Sequence, residues 1–141
     1  MLSRPVLPAP GDRDRGSIAP MIAIVALAAL ILIGLAVDGG RKAQATQTAV
    51  AVADEAARAG GNAIDPAGAR GEGSIAVEVG AAVAAAQAYL AAAGVDGEVT
   101  VNGGRELVVT TTIQVPTIFL DLIGVDVLTV TGSGSADLVG A

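Results

Sequence analysis

An unbroken apolar run near the N-terminus constrains this chain more than any other feature. Residues 18–37 (IAPMIAIVALAALILIGLAV) are 20 positions without a charged side chain. A helix of that length is roughly 30 Å long, which matches the hydrocarbon core of a bilayer. Arg15 precedes the run closely, and Asp38 and Arg41 follow it. The sequence therefore predicts a membrane-spanning helix.

Two other interpretations of the run remain open. Gly34 and Ala36 are small enough for a peptidase site, so the run could be a secretory signal that is cleaved. The apolar region of such a signal is usually shorter, about 7–15 residues. The run could instead be a buried core helix. Because the run is apolar on every side, such a helix would have no polar face toward water, which a helix of a small domain needs. We expect the membrane anchor.

The charges on either side of the run indicate its orientation. Residues 1–17 carry three Arg and two Asp and, with three Pro, predict a disordered leader. Arg41 and Lys42 follow the run, and acidic residues dominate the rest of the chain. The positive-inside rule favours an N-terminus inside the cell and a C-terminal part outside the cytoplasmic membrane.

Composition excludes several classes of function. The 141 residues include no Cys and no His, which excludes disulfides, Cys/His zinc sites and His-dependent catalytic triads. The 8 basic and 14 acidic residues give a net charge of −6, which argues against nucleic-acid binding. Asp121 and Asp126 lack the spacing of a calcium loop. We expect no catalytic residues, no cofactor, no metal and no small-molecule substrate.

A helical extension is predicted directly after the apolar run, over residues 38–61. Residues 41–59 are rich in Ala, Gln and Val and contain no Gly or Pro, which favours a helix. Gly39 and Gly40 either kink this helix away from the span or are carried within one long helix. Gly60 and Gly61 end it, and a polar linker follows over residues 65–74.

The remaining residues, 62–141, predict a small α+β domain. A second helix is expected over about 75–93, because apolar residues recur there at spacings of four, three and four. This stripe consists of Val79, Val83, Ala86 and Leu90. From residue 98 the period changes to two, and Asn102-Gly103 predicts a hairpin.

Two further strands are predicted after this turn, which makes three in all. The inward face of the longer one is predicted to carry Leu107, Val109, Thr111, Ile113 and Val115. The last strand, from about 127 to 138, has small residues at 132 and 134, where a helix can pack closely. The fold class is therefore α+β: a transmembrane helix continuing into an extracytoplasmic helix, then a helix packed on a three-stranded antiparallel sheet, as in pilins.

Two sets of residues are candidates for contacts with other molecules. Small residues in the span, which permit close helix approach, are Ala26, Ala29 and Gly34. Large apolar residues between the last two strands are Ile118, Phe119, Leu120, Leu122 and Ile123. This second set predicts either a short helix closing the core or an exposed tip that touches the membrane or another subunit.

The order of these segments resembles the TadE/TadG-like proteins of Flp-type (tight-adherence) pilus assembly. The resemblance starts with Arg15-Gly16-Ser17 before the apolar helix and Asp38-Gly-Gly-Arg41 after it. The Ala-Asp-x-Ala-Ala pattern at 53–57 is similar to a segment of the following helix in that family. The closing phrases VPTIFL, IGVD and LTVT are similar to the family's last strands. Together these segments cover most of residues 15–139.

The resemblance implies a pseudopilin-like envelope protein of bacteria with an N-terminal membrane helix. Some members are cut by a prepilin peptidase after a Gly, and Gly16 followed by Ser17 matches that position. Processed members usually carry Glu at the fifth residue after the cut, where this chain has Met21. A chain that is not cut would stay in the membrane as an assembly factor.

These expectations combine into one function and two alternatives. The chain is predicted to be a non-enzymatic, single-pass membrane component of a Tad/Flp-type pilus or related secretion apparatus. Its expected partners are the membrane and other pilus or secretion-system subunits. The alternatives are a secreted binding module released by signal peptidase and an accessory subunit of another membrane complex.

Overall fold

The computed structural model describes residues 18–63 and 72–138. The predicted leader, the Gly16–Ser17 position and most of the predicted linker lie outside the described residues. The elements in chain order are α1 (Ile18–Asn62), α2 (Glu72–Ala93), β1 (Asp96–Asn102), β2 (Glu106–Pro116), a short 3-10 helix (Leu120–Ile123) and β3 (Val127–Asp137). The predicted α+β fold class is confirmed.

Helix α1 is one uninterrupted helix of 45 residues. At 1.5 Å per residue it is about 68 Å long. Gly39 and Gly40 are carried within it, and no atom lies close to the position of a Cβ at either residue. Only 6% of its most apolar 18-residue stretch is buried. The apolar run is therefore a candidate membrane span, and it does not form the core of the domain.

The three strands form an antiparallel sheet in the order β1-β2-β3. Val109 in the central strand pairs with Val99 on one side and with Gly134 on the other. The β1–β2 hairpin turns at residues 103–105, where Gly103 and Gly104 both have positive φ. A left-handed backbone at successive positions favours glycine, so the turn uses Gly103 and Gly104, while Asn102 is the last residue of β1.

The core lies between one face of the sheet and the second half of α1. Buried on the inner face of β2 are Leu107, Val109, Thr111 and Val115, which matches the predicted alternation. The helix contributes almost only small side chains: Ala49, Ala53, Ala56, Ala57 and Gly60. Helix α2 completes the layer and buries Ala82, Ala86 and Leu90. The predicted apolar stripe of α2 is thus confirmed, since its residues Ala86 and Leu90 are buried in the core.

Glycines in β3 bring the sheet into direct contact with the backbone of α1. A Cβ built at Gly132 would lie 2.3 Å from the carbonyl carbon of Ala49, and one at Gly134 would lie 2.5 Å from the amide nitrogen of Asp54. At the same contact the buried Thr111 hydroxyl donates a hydrogen bond of 2.8 Å to the Ala49 carbonyl. The close packing predicted for residues 132–134 is confirmed.

Replacing Gly134 with Ala should destabilise the domain because the added methyl group meets helix backbone, which cannot rotate away. Overpacking of this kind costs about 1–3 kcal/mol. The neighbouring Ser133→Ala is the matched control, since Ser133 is exposed on the opposite face of the same strand. Thermal unfolding of the full chain in detergent, followed by circular dichroism, should show a lower midpoint for Gly134→Ala alone. Equal midpoints for the two variants would contradict the proposed packing.

Candidate functional site

The loop between β2 and β3, residues 117–126, folds back onto α1. Its base is closed by the amide of Thr117, which donates to the Asp126 carbonyl at 3.0 Å. The Thr117 hydroxyl also donates to the Val125 carbonyl. The 3-10 helix within the loop ends at Gly124, whose φ of 85° lets its amide turn back to the Asp121 carbonyl. The loop is therefore a closed, hydrogen-bonded unit.

Asp38 joins this loop to α1. It is the first residue after the apolar run, and it is 1% exposed. Its Oδ1 accepts a hydrogen bond of 2.9 Å from the amide of Ile118. Its Oδ2 accepts two more, from Phe119 at 2.9 Å and from Leu120 at 2.8 Å. The carboxylate thus caps three successive amides at the start of the 3-10 helix, donors that would otherwise have no helical partner.

The environment of Asp38 favours its charged form. Burial opposes ionisation, but the three amide donors and the nearby Arg41 outweigh it and lower the pKa of the Asp38 carboxyl below its ordinary value. The acid is therefore ionised at neutral pH, when its hydrogen bonds are strongest.

Gly34 forms the second contact between α1 and the loop. It lies one helical turn before Asp38, inside the apolar run, and is buried. A Cβ at this position would lie 2.6 Å from Cγ of Phe119. Only glycine lets the aromatic ring lie directly on the helix backbone. We call Gly34, Asp38 and residues 118–120 together the helix–loop junction.

The structure separates the residues predicted to pack against other helices. Gly34 contacts Phe119 of its own chain, whereas Ala26 and Ala29 are exposed in the apolar run. Those two alanines line a shallow apolar groove with Ile18, Met21, Ile22 and Val25. A contact of Ala26 and Ala29 with another helix stays a prediction.

The predicted apolar tip is partly helical and partly exposed. Residues 120–123 form a short helix, and Phe119 and Leu120 are half-buried against α1. In contrast, Ile118 is 54% exposed, Leu122 82% and Ile123 74%. One side of the loop thus packs on the helix while the other presents large aliphatic side chains.

Sequence reasoning identified Asp38 as the boundary of the apolar run and as part of the Asp38-Gly-Gly-Arg41 segment, and it assigned Asp38 no contact. Its role depends on residues 80 to 82 positions away, and no local pattern reports such a contact. One signal was available: an acidic side chain at the end of an apolar span, combined with an apolar loop elsewhere. A buried carboxylate needs donors, and free amides at the start of a short helix supply them.

No group of three or more His, Cys, Asp or Glu side chains converges within 18–63 and 72–138. Asp121 and Asp126 lie together in the loop, where hydrogen bonding and repulsion from Asp126 raise the pKa of the Asp121 carboxyl.

Replacing Asp38 with Asn should loosen the loop because the amide side chain has one acceptor oxygen where three amides need partners. Hydrogen exchange of the full chain in detergent should show reduced protection at residues 118–120. Asp54→Asn on the same helix is the matched control, since the Asp54 side chain makes no hydrogen bond within residues 18–63 and 72–138. Unchanged protection at residues 118–120 in Asp38→Asn would rule out the capping role.

Acidification should reproduce the effect of Asp38→Asn. Because the pKa of Asp38 is lowered in the folded chain, its contribution is complete above the unfolded value of about 4 and is lost as the pH falls through the lower folded value. The raised pKa of Asp121 acts in the opposite direction, since its protonation relieves repulsion. In Asp126→Asn the acid-induced loss of protection at residues 118–120 should therefore persist, and in Asp38→Asn it should be absent.

Comparison with known protein families finds a match to the N-terminal third of the chain. Residues 16–63 match the family model described as "Putative Flp pilus-assembly TadE/G-like". No curated protein and no solved structure matches the chain. The matched residues include the Gly16–Ser17 position, the apolar run and the helical extension, and the closing strands lie outside them. The resemblance to the TadE/G-like pilus-assembly family is thus confirmed over α1.

Proposed function

We propose that this chain is a non-enzymatic, single-pass membrane component of a Tad/Flp-type pilus or a related secretion apparatus, either a minor pseudopilin or an assembly factor. The family match over residues 16–63 and the candidate span support a component of pilus assembly. The observation that carries the proposal is the continuity of α1, which runs without a break from an exposed apolar segment into the core of a folded domain.

The proposed topology places the N-terminus in the cytoplasm and the α+β domain outside the cytoplasmic membrane. The basic residues before the span are Arg4, Arg13 and Arg15. Those just after it, Arg41 and Lys42, are fewer, and the folded domain is predominantly acidic. The positive-inside rule supports this orientation.

The helix–loop junction argues for a retained anchor over a cleaved signal. Cleavage near Ala36 would cut α1 between Gly34 and Asp38. It would remove the surface on which Phe119 packs and free the helix end that carries Asp38. A domain built to be released would not place two of its own contacts on either side of the cut.

Ala26 and Ala29 are the proposed contact with helices of other subunits. They are small and exposed, and Gly34 is already covered by Phe119. Small residues let helix backbones approach closely in lipid. Ala26→Ile should reduce crosslinking to partner helices, whereas Leu27→Ile should not. Equal crosslinking in the two variants would count against this contact.

An accessory subunit of another membrane complex is the alternative. Purification of the full chain in mild detergent distinguishes this alternative from the proposed role in a pilus or secretion apparatus. Recovery with pilus or secretion-system subunits supports the proposal, and stoichiometric recovery with a catalytic membrane chain contradicts it.

The mature chain should be found in the membrane fraction with residues 18–37 retained. Intact mass and N-terminal sequencing of the membrane-extracted protein measure this directly. A start at Ser17 would mean prepilin-type processing and favour the pseudopilin role. A start at Met1 would favour the assembly factor.

Release into the medium with a start near Val37 would contradict the membrane role. It would support the secreted binding module instead. The membrane fraction of the same culture is the control, since a retained anchor should leave the medium free of this chain.

A further inference from the structure

The helix–loop junction determines where the loop lies relative to the membrane. Phe119 contacts α1 at Gly34, which is inside the apolar run. The amides of residues 118–120 are bonded to Asp38, which is immediately after that run. Four residues of helix correspond to about 6 Å. The loop therefore lies beside the last turn of the span, at the level where acyl chains meet headgroups.

The exposed side chains of the loop are unusual for a surface facing water. Leu122 and Ile123 are 82% and 74% exposed, and Ile118 is 54% exposed. None of the three belongs to either cluster of the domain core. Large exposed aliphatic side chains close together in one loop mark a contact with a partner or a membrane.

The charges of the loop are compatible with this position. Residues 117–127 contain no Lys or Arg. The acidic residues of the loop, Asp121 and Asp126, face each other, so their carboxyl groups interact mutually.

We propose that Leu122 and Ile123, together with Ile118, insert into the headgroup–acyl boundary of the bilayer and anchor the domain to the membrane surface beside its own span. The inference rests on the proposed membrane anchoring of residues 18–37. Lipid is the occupant because the contacts at Gly34 and Asp38 place the loop at membrane depth within a single chain. No second protein is needed to bring it there.

Because the chain contains no Cys, single labels are straightforward to introduce. Leu122→Cys carries an environment-sensitive NBD fluorophore in the full chain, reconstituted in phosphatidylcholine vesicles with brominated acyl chains. Leu27→Cys in the span is the positive control. Asn102→Cys is the negative control, because it lies at the opposite end of the sheet. The 11 residues of β2 separate that end from the loop by about 36 Å.

We expect the brominated lipid to quench the fluorescence at position 122 about as strongly as at position 27, and not at position 102. The quenching at position 122 should stay the same when the protein is diluted in lipid. Ile123→Cys should behave as Leu122→Cys does, which guards against a local defect at one site. Unquenched, water-like emission at 122 with quenching at 27 would overturn the inference and leave the membrane anchor intact.

Two other outcomes also overturn it. A blue shift at 122 that appears only at high protein density would assign the loop to contact with another subunit. Absence of quenching at 27 would mean that the proposed membrane anchoring itself fails, and the inference would fail with it.

Discussion

The buried carboxylate of Asp38 is the interaction on which the arrangement of this molecule depends. A charge at the end of an apolar helix is costly unless hydrogen-bond donors surround it. Here three consecutive amides supply the donors, and they belong to a loop 80 to 82 positions away in sequence. One turn earlier, Gly34 gives Phe119 a flat helix surface. Two contacts spaced along the helix fix both the position and the rotation of the loop.

Beyond Asp38, the contact between α1 and the sheet consists mainly of small residues, with few polar contacts between the described side chains. The backbone of α1 at 49–50 and 53–54 lies so close to Gly132 and Gly134 on β3 that backbone touches backbone. Small residues bury little apolar area each, so this contact relies on proximity and on the Thr111 hydroxyl at its centre. The same helix is thus rigidly attached to its sheet and, through Asp38, to the loop that follows β2.

Local patterns predicted most of the fold. The apolar run, the stripe of α2, the alternation along β2 and the hairpin at Asn102 are all periodic or turn-specific signals. The junction was missed because Asp38 and Gly34 have ordinary local meanings, a boundary residue and a small residue in a span. Only the three-dimensional path of the β2–β3 loop shows what they contact. The aliphatic loop residues were found from composition, but their place beside the span was not.

Because α1 is continuous, these contacts affect how rigidly the domain is held relative to the apolar run. A span joined to a domain by a flexible linker would let the domain tumble at the membrane surface. Here the helix enters the core without a break through Gly39 and Gly40, and the loop bonds to Asp38 and packs on Gly34 just before these two glycines. The junction therefore holds the loop against α1 at the point where the apolar run ends. A subunit or assembly factor that must present its domain at a defined angle to the membrane requires stiffness at that point.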